Sequence, residues 1–201
     1  GHVAFLRQQH QLLLQALRLQ LDLHLGAARF NLLPLVGQHL RDQLAQLQHF
    51  VLQMFLARRE PEHRGGLEGS IRWLIDQSPE ASHWSCVLAV FLADSGRVEE
   101  TREVFERIAS GGLARLAREK NAPALLAWMA RVATFLWDEP RARELYPLLA
   151  PYAERNIVLG ASSQACLGSA HRYLGLLAAT CGDVAGAERH YIAGVAMNER
   201  M

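Results

Sequence analysis

The side chains best suited to chemistry in this chain are thiols and imidazoles near its C-terminal end. They are Cys166, His171, Cys181 and His190. A thiol beside an imidazole can act as a nucleophile with its base, and the same groups bind zinc. Cys166 and His171, however, are five residues apart, which places them on different faces of a helix. We therefore expect small buried cysteines and partly exposed histidines, with no catalytic or metal site.

The other candidates for ligand or metal binding fit helix packing better. Five further histidines lack an H-E-x-x-H or similar spacing; they are His10, His24, His39, His49 and His63. Four tryptophans could form a ligand cage or a stacking platform for bases, but their helical spacing among aliphatic residues favours core packing. They are Trp73, Trp84, Trp128 and Trp137.

The sequence also lacks the motifs of nucleotide and DNA chemistry. Gly111-Gly112 is followed by Leu113-Ala114-Arg115, without the lysine and hydroxyl of the G-x-x-x-x-G-K-[ST] phosphate loop. We find no helix-turn-helix with a basic recognition helix and no paired aspartates of a cyclase core. We therefore expect that the chain is not an enzyme, uses no cofactor and does not bind nucleic acid directly.

Composition and charge are those of an ordinary globular chain. Half of the 201 residues are hydrophobic and 20% are charged, and 21 basic residues against 20 acidic ones give a net charge of +1. Such a balance offers no field to attract nucleic acid or an anionic membrane. Three widely spaced cysteines argue against a disulfide framework and for a reducing cytoplasm. The leucine-rich start is interrupted by arginines and glutamines, which excludes a membrane span.

Apolar residues recur at helical spacing almost throughout, separated by short breaks rich in Pro, Gly, Ser and Asn. No run alternates in the way a strand does, so we expect no sheet. Pro34, Pro147 and Pro151 should kink or shorten their helices. The expected helices span residues 3–25, 27–42, 43–59, 64–77, 79–95, 97–109, 113–119, 122–137, 139–154, 163–181 and 183–198.

The segment Arg155 to Gly168 interrupts this regularity with glycines and serines. One interpretation is a loop that lines a ligand or partner surface. The other, which we favour, is a tight crossover in which Gly160 has a positive φ and Ser162 or Ser163 caps the next helix.

A repeat is clearest in the last fifth of the chain. Leu174-Gly175 is followed by a turn glycine at Gly182, then by Ala187 and, four residues later, by Tyr191. This spacing resembles the tetratricopeptide pattern, in which a small residue permits two helices to cross closely and an aromatic residue fills the space beside them.

Two earlier units align with the last one. In the first, the equivalent residues are Leu88, Ala89, Gly96, Thr101 and Phe105. In the second they are Met129, Ala130, Trp137, Ala142 and Tyr146, with Trp137 where the turn glycine belongs. The turn positions 96, 137 and 182 are 41 and 45 residues apart, longer than the typical period of about 34 residues. Extra residues must therefore lie between the units.

The predicted fold is all-α: an α-solenoid of tetratricopeptide-like helical hairpins that winds as a right-handed superhelix. Residues 1–80 would form divergent hairpin repeats, and residues 81–201 would form the tetratricopeptide-like repeats, continuous with them as one array. Because the sequence opens at Gly1 and stops at Met201 directly after a helical pattern, we interpret it as a fragment of a longer protein.

Several short motifs in the last 60 or so residues resemble those of a bacterial group. The motifs are Leu145-Tyr146, Pro151-Tyr152-Ala153, Arg155-Asn156, Cys166-Leu167-Gly168, Arg172-Tyr173-Leu174-Gly175, Ala187-Glu188-Arg189-His190 and Met197-Asn198. The stretch is similar to the helical-repeat region of large ATP-binding signalling proteins, namely AAA-ATPase-linked adenylate or guanylate cyclases and LuxR-family ATP-dependent transcriptional regulators. The resemblance implies an arm that senses an inducer or holds the assembly at rest.

The expected function is protein–protein interaction and signal relay within such a regulator, with a protein partner or the other modules of the parent chain. The alternative is a domain that senses a small-molecule inducer. In the repeat register, a concave partner-binding face would include Arg131, Phe135, Arg172 and Leu176. The same register also selects Cys86, Val90, Asp94, Ala127, Thr134 and Thr180. The two arginines would act as charged anchors and Phe135 as an apolar one. The alternative, equally weighted, is that both arginines extend along the surface of the array and Phe135 belongs to the core.

Overall fold

The computed structural model describes residues 64–77, 82–159 and 165–200. The chain divides into two compact units, Gly1–Leu67 and Glu68–Met201, and almost all described residues lie in the second. The helices expected over 3–25, 27–42 and 43–59, together with Pro34, lie outside the described residues. The boundary expected near residue 80 is therefore still a prediction.

Most of the described chain is helical. The α-helices are α1 (Arg64–Gln77), α2 (Ser82–Asp94), α3 (Val98–Ala109), α4 (Ala122–Phe135), α5 (Glu139–Leu149), α6 (Ala170–Thr180) and α7 (Val184–Asn198). The helix expected over 113–119 is a 3-10 helix, Leu113–Arg118. Pro147 lies inside α5, which ends two residues later and passes into a 3-10 turn, Ala150–Tyr152, around Pro151.

The expectation of no sheet is wrong. An antiparallel pair of strands, β1 (Asn156–Leu159) and β2 (Ala165–Ser169), stands between α5 and α6. The helix expected from residue 163 consequently begins only at Ala170. β1 buries Ile157 and Leu159 and exposes Val158, the alternation of a half-buried strand. Four residues are too few for that alternation to stand out within a helical pattern.

A bulge shapes the second strand and the start of α6. The pairing register shifts between Ile157 and Val158, which leaves Leu167 without a partner residue, and Gly168 has φ +91°. The displaced Leu167 carbonyl accepts a hydrogen bond from the Tyr173 hydroxyl at 2.8 Å. Ser169 caps α6 by accepting from the amide of His171 at 3.2 Å. Gly160, Ser162 and Ser163, which the predicted crossover involves, lie outside the described residues.

Three helical hairpins share one turn geometry. They are the first hairpin (α2–α3), the second (α4–α5) and the third (α6–α7). The turn residues Gly96, Trp137 and Gly182 all have positive φ, at 72°, 51° and 78°. In each turn the next amide donates back to a carbonyl five residues earlier: Arg97 to Leu92, Asp138 to Ala133 and Asp183 to Ala178, at 2.9–3.1 Å. This is the Schellman bond that ends a helix in the left-handed region.

The second turn departs from the expectations for its residue type. Trp137 is 73% exposed, so it does not belong to the core. A tryptophan at positive φ is strained because its Cβ approaches the carbonyl. The surrounding hydrogen bonds, together with the Asp138 carboxylate that accepts from the Arg141 amide at 3.1 Å, hold the turn in this conformation. The backbone conformation of Trp137 is therefore set by its position in the repeat and not by its residue type.

The first helices of the three hairpins form a row. α4 packs against α2, and α6 packs against α4; α4 and α6 also contact the outer helices α3 and α5 of the hairpins before them. β1 packs on α4, and β2 contacts α6 and α7. The sheet accounts for the longer interval between the second and third turns, and the 3-10 helix Leu113–Arg118 accounts for the longer interval between the first and second.

Candidate functional site

The predicted partner-binding residues lie on α4 and α6, two neighbouring first helices. We call Asp94, Arg131, Phe135, Arg172 and Leu176 the first-helix face. Arg131 donates from Nη2 to Asp94 Oδ1 at 2.6 Å, which ties α4 to the end of α2. Burial lowers the pKa of the Arg131 guanidinium, opposed by an interaction with Tyr173 and assisted to a smaller extent by the charge of Arg172. Arg131 is therefore already engaged within the chain.

Arg172 is the accessible cation of this face. It is exposed, and its guanidinium carbon lies 5.6 Å from the centroid of the Tyr173 ring, within cation–π range. Phe135 and Leu176 are half-buried, so part of each apolar side chain faces outwards. The face therefore combines one accessible cation, one ion pair and two apolar surfaces.

Part of the predicted face is not available to a partner. Cys86, Val90 and Ala127 are fully buried, so their assignment to an accessible surface is wrong. The reason is that α2 and α4 bury residues around nearly their whole circumference. Thr134 and Thr180 lie together between α4 and α6, with their hydroxyl oxygens 3.1 Å apart, but Thr180 is buried as well.

The repeat positions have packing roles. Leu88, Met129 and Leu174 are buried, as are Ala89, Ala130 and Gly175 beside them. A Cβ at Gly175 would lie 2.7 Å from Cε1 of Tyr191. The absence of a side chain at residue 175 therefore leaves room for the Tyr191 ring. Thr101, Ala142 and Ala187 are buried at the small position. The aromatic position changes along the array, because Phe105 is fully buried, Tyr146 is half-buried and Tyr191 is 39% exposed.

The structure brings together a group of titratable side chains that the sequence pattern did not predict. His171 Nδ1 on α6 lies 2.9 Å from His190 Nδ1 on α7. His190 Nε2 lies 2.7 Å from the Tyr146 hydroxyl on α5, and His171 Nε2 lies 3.4 Å from a Glu154 carboxylate oxygen. We call these four residues the histidine chain. It links the second hairpin to both helices of the third.

One of the two ring positions differs from the expected one. His171 is only 8% exposed, so the expectation of a partly exposed side chain is wrong for it, while His190 is half-buried. The hairpin alignment could have indicated this. It places His171 and His190 level with Ser85 and Val104 of the first hairpin, and with Leu126 and Leu145 of the second, at the contact between first and outer helices.

The electrostatics of the histidine chain favour the neutral form of His190. A contact between two Nδ1 atoms is a hydrogen bond only if one ring donates and the other accepts. Burial lowers the pKa of His190, and the charges of His171 and Arg189 lower it further, against a smaller opposite effect of Asp183. The histidine chain therefore links the second and third hairpins through contacts between ionisable side chains.

The cysteines are placed differently from the expectation. Cys166 is exposed on β2 and Cys181 is partly exposed at the end of α6, whereas Cys86 is the buried thiol. The prediction of burial is thus wrong for Cys166 and Cys181, because the first lies on a strand where a helix was expected. Burial raises the pKa of Cys86 to about 12 and also raises that of Cys181, which keeps both thiols protonated and weakly nucleophilic near neutral pH.

In residues 64–77, 82–159 and 165–200, no three His, Cys, Asp or Glu side chains are grouped so as to hold a metal ion. None of the helices in the same part of the chain has the length and apolar character needed to cross a membrane. No protein-family model, curated protein or solved structure matches this chain.

Proposed function

We propose that this chain is a non-catalytic arm of tetratricopeptide-like repeats that binds protein segments on its first-helix face. The three equivalent turns at Gly96, Trp137 and Gly182 carry the proposal. A repeated hairpin that stacks first helix against first helix creates an extended surface for a partner.

The chemistry of the first-helix face suits a peptide or helix with an acidic group beside a hydrophobic side chain. Exposed Arg172 offers a planar, bidentate donor to a carboxylate. The outward parts of Phe135 and Leu176 offer apolar contact. Since Arg131 is held by Asp94 at 2.6 Å, the main charged anchor is Arg172.

We further propose that the arm belongs to a larger ATP-dependent bacterial regulator and relays signals to its other modules. Support for this parent class comes from the resemblance of residues 143–201 to the repeat regions of such proteins. Within the parent, the natural occupant of the first-helix face would be a segment of an ATPase or output module.

The test is a binding titration between this chain and the separately expressed remainder of its parent protein, followed by calorimetry. Arg172→Glu should weaken binding by about tenfold or more, because it places a carboxylate opposite the partner's acidic group. Arg102→Glu, an exposed arginine on the outer helix α3, is the matched control and should leave the affinity unchanged.

Arg131 is a poor choice for this test, because its reversal would leave two carboxylates opposed at the Asp94 contact and disturb the array itself. Helicity and melting temperature should be the same for the Arg172→Glu and Arg102→Glu variants. Full-strength binding by Arg172→Glu would contradict the assignment of the first-helix face.

A further inference from the structure

The two rings of the histidine chain meet through the same kind of atom. His171 Nδ1 and His190 Nδ1 lie 2.9 Å apart, where α6 contacts α7. A hydrogen bond between them needs one Nδ1 that carries a proton and one that is bare. An imidazolium carries protons on both of its nitrogens. The contact therefore limits how many protons the pair of rings can hold.

With both rings neutral, every contact of the histidine chain is satisfied in one direction. The Tyr146 hydroxyl donates to His190 Nε2 at 2.7 Å, and His190 Nδ1 donates to His171 Nδ1. The remaining proton of His171, on Nε2, lies 3.4 Å from the Glu154 carboxylate. We assign this direction because the reverse one would place a bare His171 Nε2 against a carboxylate.

One added proton can also be accommodated. If His171 takes it on Nδ1, this ring donates both to His190 Nδ1 and towards Glu154. The proton of His190 then lies on Nε2, which donates to the Tyr146 hydroxyl oxygen.

A second added proton has no such arrangement. Two Nδ1–H groups would face each other at the 2.9 Å contact, and each ring would carry a positive charge. The second proton therefore requires the rings to separate.

The charges beside the rings do not compensate for a second positive charge. Burial lowers the pKa of His190, and the charges of His171 and Arg189 lower it further, against a smaller opposite effect of Asp183. The carboxylate of Glu154 is exposed, so water and salt screen it.

The elements α4, α5 and β2 also pack against the third hairpin. Several of their ionisable side chains are paired with other residues or exposed. Arg131 of α4 pairs with Asp94, Arg143 of α5 pairs with Glu139, and Cys166 of β2 is exposed.

We propose that the histidine chain is an acid-sensitive latch of the third hairpin. It holds α7 against α6 and α5 with at most one added proton, and it releases α7 when the second proton enters. The second hairpin has Leu126 and Leu145 at the equivalent positions and lacks this device. The latch is a property of the fold and does not depend on partner binding at the first-helix face.

The test is hydrogen exchange of the full chain, followed by mass spectrometry and corrected for the effect of pH on intrinsic exchange. Release of α7 takes up one proton below about pH 6.5, the ordinary pKa of a histidine. Protection of the amides of α7, Val184–Asn198, should therefore fall by about tenfold per pH unit between about pH 6 and 5. Protection of α2 should change much less over this range.

His171→Asn tests the proton limit directly. The asparagine carries no charge, and its side-chain oxygen can accept from a protonated His190 Nδ1. Protection of α7 should then depend much less on pH. His83→Gln is the matched control, because it removes an imidazole of the first hairpin whose pKa burial also lowers. This variant should keep the wild-type pH dependence of α7.

Equal protection of α7 at pH 6 and 5 in the wild type would overturn the proposal, and this result does not depend on the folding of any variant. An undiminished pH dependence in a His171→Asn variant that has wild-type helicity at pH 7.5 would also overturn it. So would a loss of protection spread evenly from α2 to α7, because that pattern indicates general acid unfolding.

Discussion

The third hairpin and the two before it share a turn but differ in how their helices are joined. In the second hairpin, Leu126 on α4 and Leu145 on α5 occupy the positions equivalent to those of His171 and His190, and both are fully buried. The third hairpin has His171 and His190 at these positions, with their Nδ1 atoms 2.9 Å apart. Two buried aliphatic side chains have been replaced by a pair of titratable rings in contact.

Glycines make this replacement possible. Gly194 is equivalent to Ile108 and Leu149, both buried, and a Cβ at Gly194 would lie 3.4 Å from Cβ of His171. Gly175 likewise leaves room for Tyr191, whereas Ala89 and Ala130 stand at its equivalents. The same backbone geometry therefore tolerates different interfaces, provided that the volume removed from one helix matches what the other adds.

The largest expected effect is that of filling the space beside Tyr191. Gly175→Leu should lower the free energy of unfolding by about 1–3 kcal/mol or more, because overpacking forces the ring and helix α7 apart. Urea denaturation followed by circular dichroism measures it. Gly69→Leu on α1 is the matched control, because no atom lies within 4 Å of a Cβ built there, and it should be neutral or stabilising.

The cost of Gly175→Leu should shrink in a Tyr191→Ala background, where the opposing ring is absent. An unchanged unfolding midpoint for Gly175→Leu alone would mean that α6 and α7 do not cross at this residue.

A smaller effect is expected at the turn of the second hairpin. Trp137→Gly should raise the free energy of unfolding by about 0.5–1 kcal/mol, since relief of the strain at φ +51° exceeds the added chain entropy of glycine. Little packing is lost because Trp137 is 73% exposed. The reciprocal change, Gly182→Ala at φ +78°, should cost a similar amount, and a gain in stability there would break the equivalence of the two turns.

The smallest expected effect is a difference in how the stability of the second and third hairpins depends on pH. Burial lowers the pKa of His190 below its usual value, so the unfolded chain binds more protons than the folded one as pH falls through about 6.5. Stability that is present at neutral pH should therefore decrease on acidification. Urea midpoints measured between about pH 7.5 and 5.5 should show a shallower dependence in the double variant His171→Leu/His190→Leu, which copies the second hairpin.

His83 is the control for this comparison. Burial also lowers its pKa, opposed by Glu119, so it contributes a dependence of the same sign from the first hairpin. His83→Gln should remove that part alone, leaving the part due to the histidine chain. An identical pH dependence in the wild type and the double leucine variant would exclude a titrating contact between α6 and α7.

The repeat alignment explains why much of the described fold could be predicted. A glycine turn, a small residue and an aromatic residue at fixed spacing specify a local hairpin. Each of these residues acts on neighbours that lie within one or two helical turns of it. The alignment of the three hairpins placed Trp137 at the turn position, although a tryptophan disfavours the positive φ of that turn. The strands β1 and β2 escaped prediction because their alternation covers only a few residues and their pairing joins Asn156 to Ser169 across a connection.

Side chains that act across hairpins could not be assigned from local spacing. Arg131 reaches Asp94 over 37 residues of sequence, and Tyr146 reaches His190 over 44. Considered within its own helix, each of these residues fits a solvated or packed position equally well. Contacts of this kind depend on how one hairpin stacks on the next, which periodicity does not encode.

The helical hairpins, their turns and the close crossing at Gly175 could be predicted from the residues alone, because they follow from backbone preferences and side-chain volume over short separations. Which of their faces meet depends on the packing of one hairpin on another. This packing buried His171 against His190, paired Arg131 with Asp94 and left the apolar side of α7 exposed. The physical reason is that burial and hydrogen bonding are properties of a side chain's neighbours in space, and those neighbours come from other hairpins.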